Sequence, residues 1–262
     1  MISVCYTYPM QAPALVLPPG VVALAHHNFG EDDKPAERPA VSAQARNAGT
    51  NVDGAVLNYE PRNRTRGDSV DVLRRWPSLL RRAWPSGLCV AYGADTGINN
   101  PDWNTTPFNV AMVLRKPRKV GDTGPQEWAR LGLDGYRRKA DTNLVTFKAR
   151  LAWKAERLTR FHELTGTPGV WFIDVQDQFT RGALAYSQPV IHAKEWIIAQ
   201  IDACPKGAGL CIFAGASNGT AREIVDVAIL KALGWAQERR NEWTASGSSK
   251  RGTGRTVGAS AG

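Results

Sequence analysis

Six consecutive residues, Gly215-Ala216-Ser217-Asn218-Gly219-Thr220, sit between the apolar run Leu210–Ala214 and a densely apolar stretch reaching Trp235. Their types read as the turn between a buried strand and a helix. Backbone N–H groups left free at a helix start, with the helix dipole behind them, suit an anion without any special side chain. Gly215, Ser217, Asn218, Gly219 and Thr220 are therefore candidate phosphate-binding residues. The stretch lacks the G-K-[ST] of a P-loop and the G-x-G-x-x-G of a dinucleotide fold, so the kind of phosphate is left open. Thr220 and Glu223 have capping-box spacing, and a plain capped turn packing helix on sheet accounts for the same residues. Carboxylates come next. Asp174 ends the run VWFID, Asp177 lies just beyond it, and Asp95 follows the run LCVAY in a glycine-rich loop. Asp95, Asp174 and Asp177 offer hard oxygen ligands of the sort Mg²⁺ takes, and Asp174, at a strand end, is the candidate base. Acidic residues at strand ends also form turns. His26-His27 with Asp32 and Asp33 is a second metal reading, although consecutive strand residues point to opposite faces. His192 and Glu195, three apart, read as a surface pair on a helix.

Gly215-Ala216-Ser217-Asn218-Gly219 also fits G-x-S-x-G, and in that respect resembles the nucleophile turn of α/β serine hydrolases. The resemblance implies Ser217 as a catalytic nucleophile with neighbouring N–H groups stabilising an oxyanion. The chain departs from that family in one respect. Its four histidines, His26, His27, His162 and His192, all precede Ser217, whereas the family places its histidine after the serine. Gly219-Thr220 with Glu223 is similar to the helix start of nucleoside deoxyribosyltransferases, where a glutamate is the nucleophile. Here Ser217 replaces the preceding acidic residue.

Charge points to a partner. The chain carries a net +9, and residues 62–160 alone hold 20 basic against 9 acidic side chains. Arg74, Arg75, Arg81 and Arg82 form one helical stripe, and Arg150, Lys154 and Arg157 another. Arg115, Lys116, Arg118 and Lys119 crowd one loop. Trp103, Trp128, Tyr136 and Trp153 are interleaved with them. Lys and Arg neutralise phosphates while aromatic rings stack on unpaired bases, which makes nucleic acid or a nucleotide the expected partner. A solvated basic face with tryptophans turned inward is the plainer account, and a non-catalytic module of a mobile element, using its fold only to present the stripes, is a third.

The elements that must position these groups alternate. Strands are expected at Val21–Ala25, Leu88–Tyr92, Phe108–Leu114, Val170–Val175 and Leu210–Ala214. Helices are expected at Ser69–Trp84 (kinked at Pro77), Pro125–Leu133, Thr142–Leu164, Pro189–Cys204 and from Thr220. Gly87–Gly97 and Gly209–Gly219 align without gaps and share six of eleven residues, which fits either a duplicated helix–strand–glycine-loop unit or chance. The expected fold is α/β, a mainly parallel sheet of about five strands covered by helices on both faces, Rossmann-like and doubly wound. Ligands then bind beyond the carboxyl ends of the strands. Residues 1–66 are expected to be irregular or partly disordered, 67–243 to form the domain, either alone or with Val21–Ala25 as its first strand, and 244–262 to be a flexible basic tail.

A chain of 262 residues can bury a substantial core. No apolar run reaches the ~18 residues of a membrane span, and the proline-broken N-terminus lacks a basic n-region. Cys5, Cys89, Cys204 and Cys211 have no metal-ligand spacing and read as reduced core thiols of a cytoplasmic protein. Arg66-Gly67-Asp68-Ser69 spells an adhesion tetrapeptide, but Asp68 or Ser69 is better read as a helix cap.

Overall fold

The computed structural model describes residues 1–7, 16–29, 54–59, 88–92, 130–138, 140–165, 169–177, 189–214 and 220–249. Seven strands lie among them: β1 (Ile2–Thr7), β2 (Val21–Phe29), β3 (Gly54–Tyr59), β4 (Leu88–Tyr92), β5 (Arg130–Asp134), β6 (Gly169–Asp174) and β7 (Gly209–Ala214). Each pairs in parallel with the strand before it in sequence, and β1 pairs with β7, so the sheet closes into a barrel. Following the register once round, from Ile2↔Val21 to Ile2↔Leu210, returns to β1 out of step by about eight residues, the stagger of an ordinary (β/α) barrel. Three helices are described: α1 (Leu144–Thr165) joins β5 to β6, α2 (Lys194–Asp202) joins β6 to β7, and α3 (Thr220–Ser249) follows β7.

Alternation along the strands separates two cores. Cys5, Leu24, Val56, Val170, Phe172, Cys211 and Phe213 form a cluster with no helix residue in it, so these side chains fill the barrel. Val4, Ala23, Leu133, Trp171, Ile173, Leu210 and Ile212 cluster instead with Phe147, Leu151 and Leu158 of α1, Ile197 and Ile201 of α2, and Val225, Ile229 and Leu233 of α3. The inner layer is tight. A Cβ on Gly132 of β5 would stand 2.3 Å from Phe172 Cε2, so only glycine leaves room for that ring. Outside, Trp171 is fully buried and donates its indole N–H to the Gln200 carbonyl at 2.8 Å.

The α/β class and the parallel pairing agree with the sequence; the open, doubly wound sheet of about five strands does not. A strand covered on both sides is a continuous apolar run whether the sheet is open or closed, so VWFID and GLCIFA carry no sign of closure. Closure depends on β1, in the stretch expected to be irregular. ISVCYT is a short β-branched and aromatic run, and the prolines that obscure it (Pro9, Pro13, Pro18, Pro19) all follow it. With β2 and β3, three strands fall within residues 1–66. Residues 130–133, expected to end a helix begun at Pro125, lie in β5. Gly132 would cost a helix about 1 kcal/mol, and in the strand it accommodates Phe172. Residues 244–249, expected as flexible tail, continue α3: each adds a hydrogen bond to a helix already nucleated, against the poor propensity of Ser and Gly. The expected elements Ser69–Trp84 and Phe108–Leu114, together with Asp32, Asp33 and Arg66–Ser69, lie outside the described residues.

Candidate active site at the barrel mouth

Parallel strands present all their carboxyl ends at one rim, and in barrels of this kind sites are built there. Asp174 is the last residue of β6 and, by alternation from Val170 and Phe172, points into the barrel; its register partner is Phe213 of β7. It is 2% exposed, and one carboxylate oxygen accepts the Gln176 backbone N–H at 2.8 Å. Its backbone is gripped as well. Asp174 N–H donates to Gln200 Oε1 at 2.8 Å, and Gln200 Nε2 donates to the Asp174 carbonyl at 3.0 Å. Gln200, wholly buried on α2, thus acts as a short extra strand that fixes the end of β6. The Tyr136 and Phe213 rings meet beside this position, 5.7 Å apart and tilted by 37°.

Beyond β6 the chain turns back on itself. Gln176 and Ile191 form an antiparallel bridge, with Asp177 N–H donating to the Val190 carbonyl and His192 N–H to that of Val175. The fold-back brings Asp177, His192 and Arg137 together. Arg137 Nη1 donates to Asp177 Oδ2 at 2.5 Å, and its guanidinium lies 4.3 Å from the centre of the Trp196 ring. Burial lowers the His192 pKa to about 4; the Asp177 carboxylate pulls it up and Arg137 pushes it down, without reversing the effect of burial. The imidazole is therefore neutral across the physiological range.

A second buried ion pair fixes the β5–α1 connection. Asp141 accepts from Arg138 N–H at 2.6 Å, from Arg150 Nε at 3.0 Å and from Arg150 Nη2 at 2.5 Å, while Arg150 also donates to the Tyr136 carbonyl. Burial pushes the Asp141 pKa up, but the Arg150 and Arg138 hydrogen bonds and the charges of Arg150 and Lys154 outweigh it, and the net shift is downward. Asn143 caps α1 by accepting the Thr146 N–H at 2.9 Å.

Of the residues proposed from sequence, Asp174 and Asp177 lie on one rim, and Thr220 opens α3 at that same end of β7. Gly215, Ser217, Asn218, Gly219 and Asp95 lie outside the described residues. His26 and His27 fall on the carboxyl-terminal half of β2. Asp177 is paired with Arg137 through Oδ2, and among the described residues no group of three His, Cys, Asp or Glu is placed to hold a metal. The α1 stripe is not a free basic face. Arg150 is bound to Asp141, Lys154 is 3% exposed, and Arg157 lies 3.7 Å over the Trp153 ring. The physical reason is Asp141, a buried carboxylate that draws both Arg150 and Lys154 inward. Arg74, Arg75, Arg81, Arg82, Arg115, Lys116, Arg118 and Lys119 lie outside the described residues. His192 and Glu195 are no surface pair: His192 precedes α2 and is 7% exposed. The thiols of Cys5, Cys204 and Cys211 are free and buried; burial lifts Cys204 to about 11 and, with Cys211 beside it, holds Cys5 well above an ordinary thiol. Gln200, Arg137 and His192 were not singled out from sequence for the roles they play here. A lone Gln among the isoleucines of α2 was the available signal for the first.

The fold and the rim define a parallel α/β barrel with a buried carboxylate at its mouth. No family model and no curated protein matches the chain. Among solved structures it is similar to a putative alpha-L-fucosidase from Bacteroides thetaiotaomicron, at TM-score 0.50 and 7% identity over 90% of this chain and 83% of that one. Two further likenesses have lower TM-scores. One is a beta-D-glucuronidase of Dictyoglomus thermophilum (0.42, 10% identity, 79% of this chain and 40% of that one). The other is the carboxyl transferase domain of Rhizobium etli pyruvate carboxylase (0.41, 12% identity, 84% and 35%). The chain thus spans well under two thirds of the glucuronidase and transferase chains. At such identities the fucosidase likeness speaks to the fold alone. Among the described residues no helix is long and apolar enough to cross a membrane.

Proposed function

We propose that the barrel mouth binds a phosphate-bearing ligand, a nucleotide or a segment of nucleic acid, at the Gly215–Thr220 turn, with Asp174 as the carboxylate that acts on it. The observation that carries this reading is topological. β7, the last strand, leads directly into the N-terminus of the 30-residue α3, on the rim where Asp174 ends β6. Loops after the last strands of a barrel, backed by a helix N-terminus, are where such folds take phosphate. Asp174 would serve as base or, with Asp95, as a ligand for Mg²⁺, which supplies charge neutralisation at a phosphate when bound. Contact with a longer polyanion then rests on Arg74, Arg75, Arg81, Arg82, Arg115, Lys116, Arg118 and Lys119.

Thermal-shift measurement against nucleotides, with and without Mg²⁺, tests the first part. A ligand at 100 times its Kd adds about 2.7 kcal/mol, which raises the melting temperature by several degrees. Indifference to every nucleotide removes the reading. Salt titration of binding to DNA and RNA tests the second part, and affinity absent at low salt removes it.

A second reading is favoured by the Tyr136–Phe213 pair beside Asp174, since aromatic rings next to a carboxylate suit a sugar. Asp174 would then be one of two acids acting on a glycosidic bond. Hydrolysis of aryl glycosides that disappears in Asp174→Asn separates it from the first. Fluorophosphonate labelling lost in Ser217→Ala would replace both with serine hydrolysis.

A further inference from the structure

Helix α3 buries one side against the barrel and turns an apolar stripe the other way. At 100° per residue Val227 lies opposite the buried edge marked by Val225, Ile229 and Leu233, with Ile224 and Leu230 about a turn to either side. These three are 50%, 49% and 42% exposed respectively. The outward face of a barrel helix is ordinarily polar, so adjoining aliphatic side chains there form a patch rather than a scatter.

The pattern about Val227 is self-complementary. Ile224 and Leu230 stand three residues before and after it, and the exposed Glu223 and Lys231 stand four before and after. Let two copies of α3 cross antiparallel on a two-fold axis at Val227. Each Ile224 then meets Leu230 of the second copy, and each Glu223 meets Lys231 of the second copy. Contact of i with j and of j with i is what an isologous interface requires. A parallel pairing would instead set Glu223 against Glu223. Gly234 lies on the same face, and an added Cβ there would find no atom within 4 Å, so the helix backbones can approach closely at that end.

We propose that the chain forms a two-fold homodimer through antiparallel packing of α3 centred on Val227, with Glu223 and Lys231 setting the register. A single helix pair covers less than the roughly 800 Å² per partner of a standard interface, so the dimer is concentration-dependent. Sedimentation velocity on the full chain, from about 1 to about 300 µM, reads it directly. Wild type is expected to pass from monomer to dimer over that range, and Val227→Asp to stay monomeric. Glu223→Lys alone, or Lys231→Glu alone, turns two charge pairs per dimer repulsive and weakens association about tenfold. The double exchange Glu223→Lys with Lys231→Glu restores it, as direct Glu223–Lys231 pairing between copies requires, and association that stops at the dimer marks that pairing as two-fold. All three positions are exposed, and unchanged circular dichroism and melting temperature will show the variants folded. Wild type that stays monomeric throughout, a dimer indifferent to Val227→Asp, or a double exchange no better than the singles each overturns the proposal.

Discussion

His192 should make the protein's stability depend on pH in one defined window. Its folded-state pKa of about 4 lies below the 6.5 of a free histidine, because burial penalises the imidazolium more than Asp177 rewards it, with Arg137 adding to the penalty. The fold therefore accepts the neutral ring, while the unfolded chain takes up a proton as soon as pH drops below 6.5. Stability from this group is whole above about pH 6.5 and is lost as pH falls towards 4, at about 1.4 kcal/mol per pH unit and about 3 kcal/mol in all. A loss of that size is a large share of the 5–15 kcal/mol that holds a typical domain together. Other carboxylates titrate at the lower end of the window, so the quantity to measure is a difference: urea unfolding of wild type and of His192→Gln at half-unit steps from pH 7.5 to 4.5. Wild-type stability minus that of the variant should fall steadily below pH 6.5. A flat difference would mean that His192 protonates normally in the folded protein, and the picture of a buried neutral imidazole near the Asp177–Arg137 pair would be wrong.

Three further outcomes are expected. Gly132→Ala places a methyl carbon 2.3 Å from the Phe172 ring inside the barrel and should cost about 1–3 kcal/mol, with Phe172→Leu recovering part of it in the double variant. Asp141→Ala leaves Arg150 and the Arg138 N–H without their acceptor; because Arg150 is 22% exposed and can draw on water, the cost at neutral pH should be about 2–3 kcal/mol, below that of a fully buried pair. Since the Asp141 pKa is depressed, its contribution is complete above the ordinary carboxyl pKa and disappears as pH falls through the folded value, so the gap between Asp141→Ala and wild type should narrow in acid. Gln200→Leu removes both bonds to the Asp174 backbone and should lower stability by about 1–3 kcal/mol in chemical denaturation; Gln200→Glu keeps an acceptor for the Asp174 N–H but sets a buried carboxylate against the Asp174 carbonyl, and should cost more at neutral pH.

What could be read from sequence is what local chemistry decides. LCVAY, VWFID and GLCIFA are short apolar runs bounded by Gly, Pro or Asp, and each is a strand within a residue of its expected limits. The 3-4-7 spacing of Leu144, Phe147, Leu151 and Leu158 gave α1 its core face. β5 was missed because RLGLD, unlike the equally short LCVAY, begins and ends on charged residues and is interrupted by Gly132, and Pro125 imitates a helix start. At the rim, Asp174 was legible as an acid ending a buried strand. Its companions were not, because Arg137, Asp177 and His192 meet only after two loops fold together, 40 residues separating the ion pair. Buried Lys154 illustrates the same limit. On a helical wheel it extends a basic stripe, and nothing in the wheel shows that Asp141, in the turn just before α1, is buried and draws Lys154 inward.

The two glycine-cornered segments show what closure changes and what it leaves intact. In an open sheet their likeness favours adjacent strands, with Cys89 beside Cys211. In the barrel Cys89 lies in β4, which pairs with β3 and β5, and Cys211 in β7, which pairs with β6 and β1, so the two cysteines are not neighbours. The adjacency expected of the two corners, and the paired pocket that rested on it, is therefore lost; what parallel pairing all the way round keeps is that β4 and β7 end at the same rim. Segments leaving β4 and β7 start from well-separated points of a closed ring, so groups from each can approach a ligand at the mouth from different sides, with Asp174 between them in the order of the strands. Among the described residues Phe172, Phe213 and Cys211 pack together inside the barrel and form a floor beneath the rim that carries Asp174.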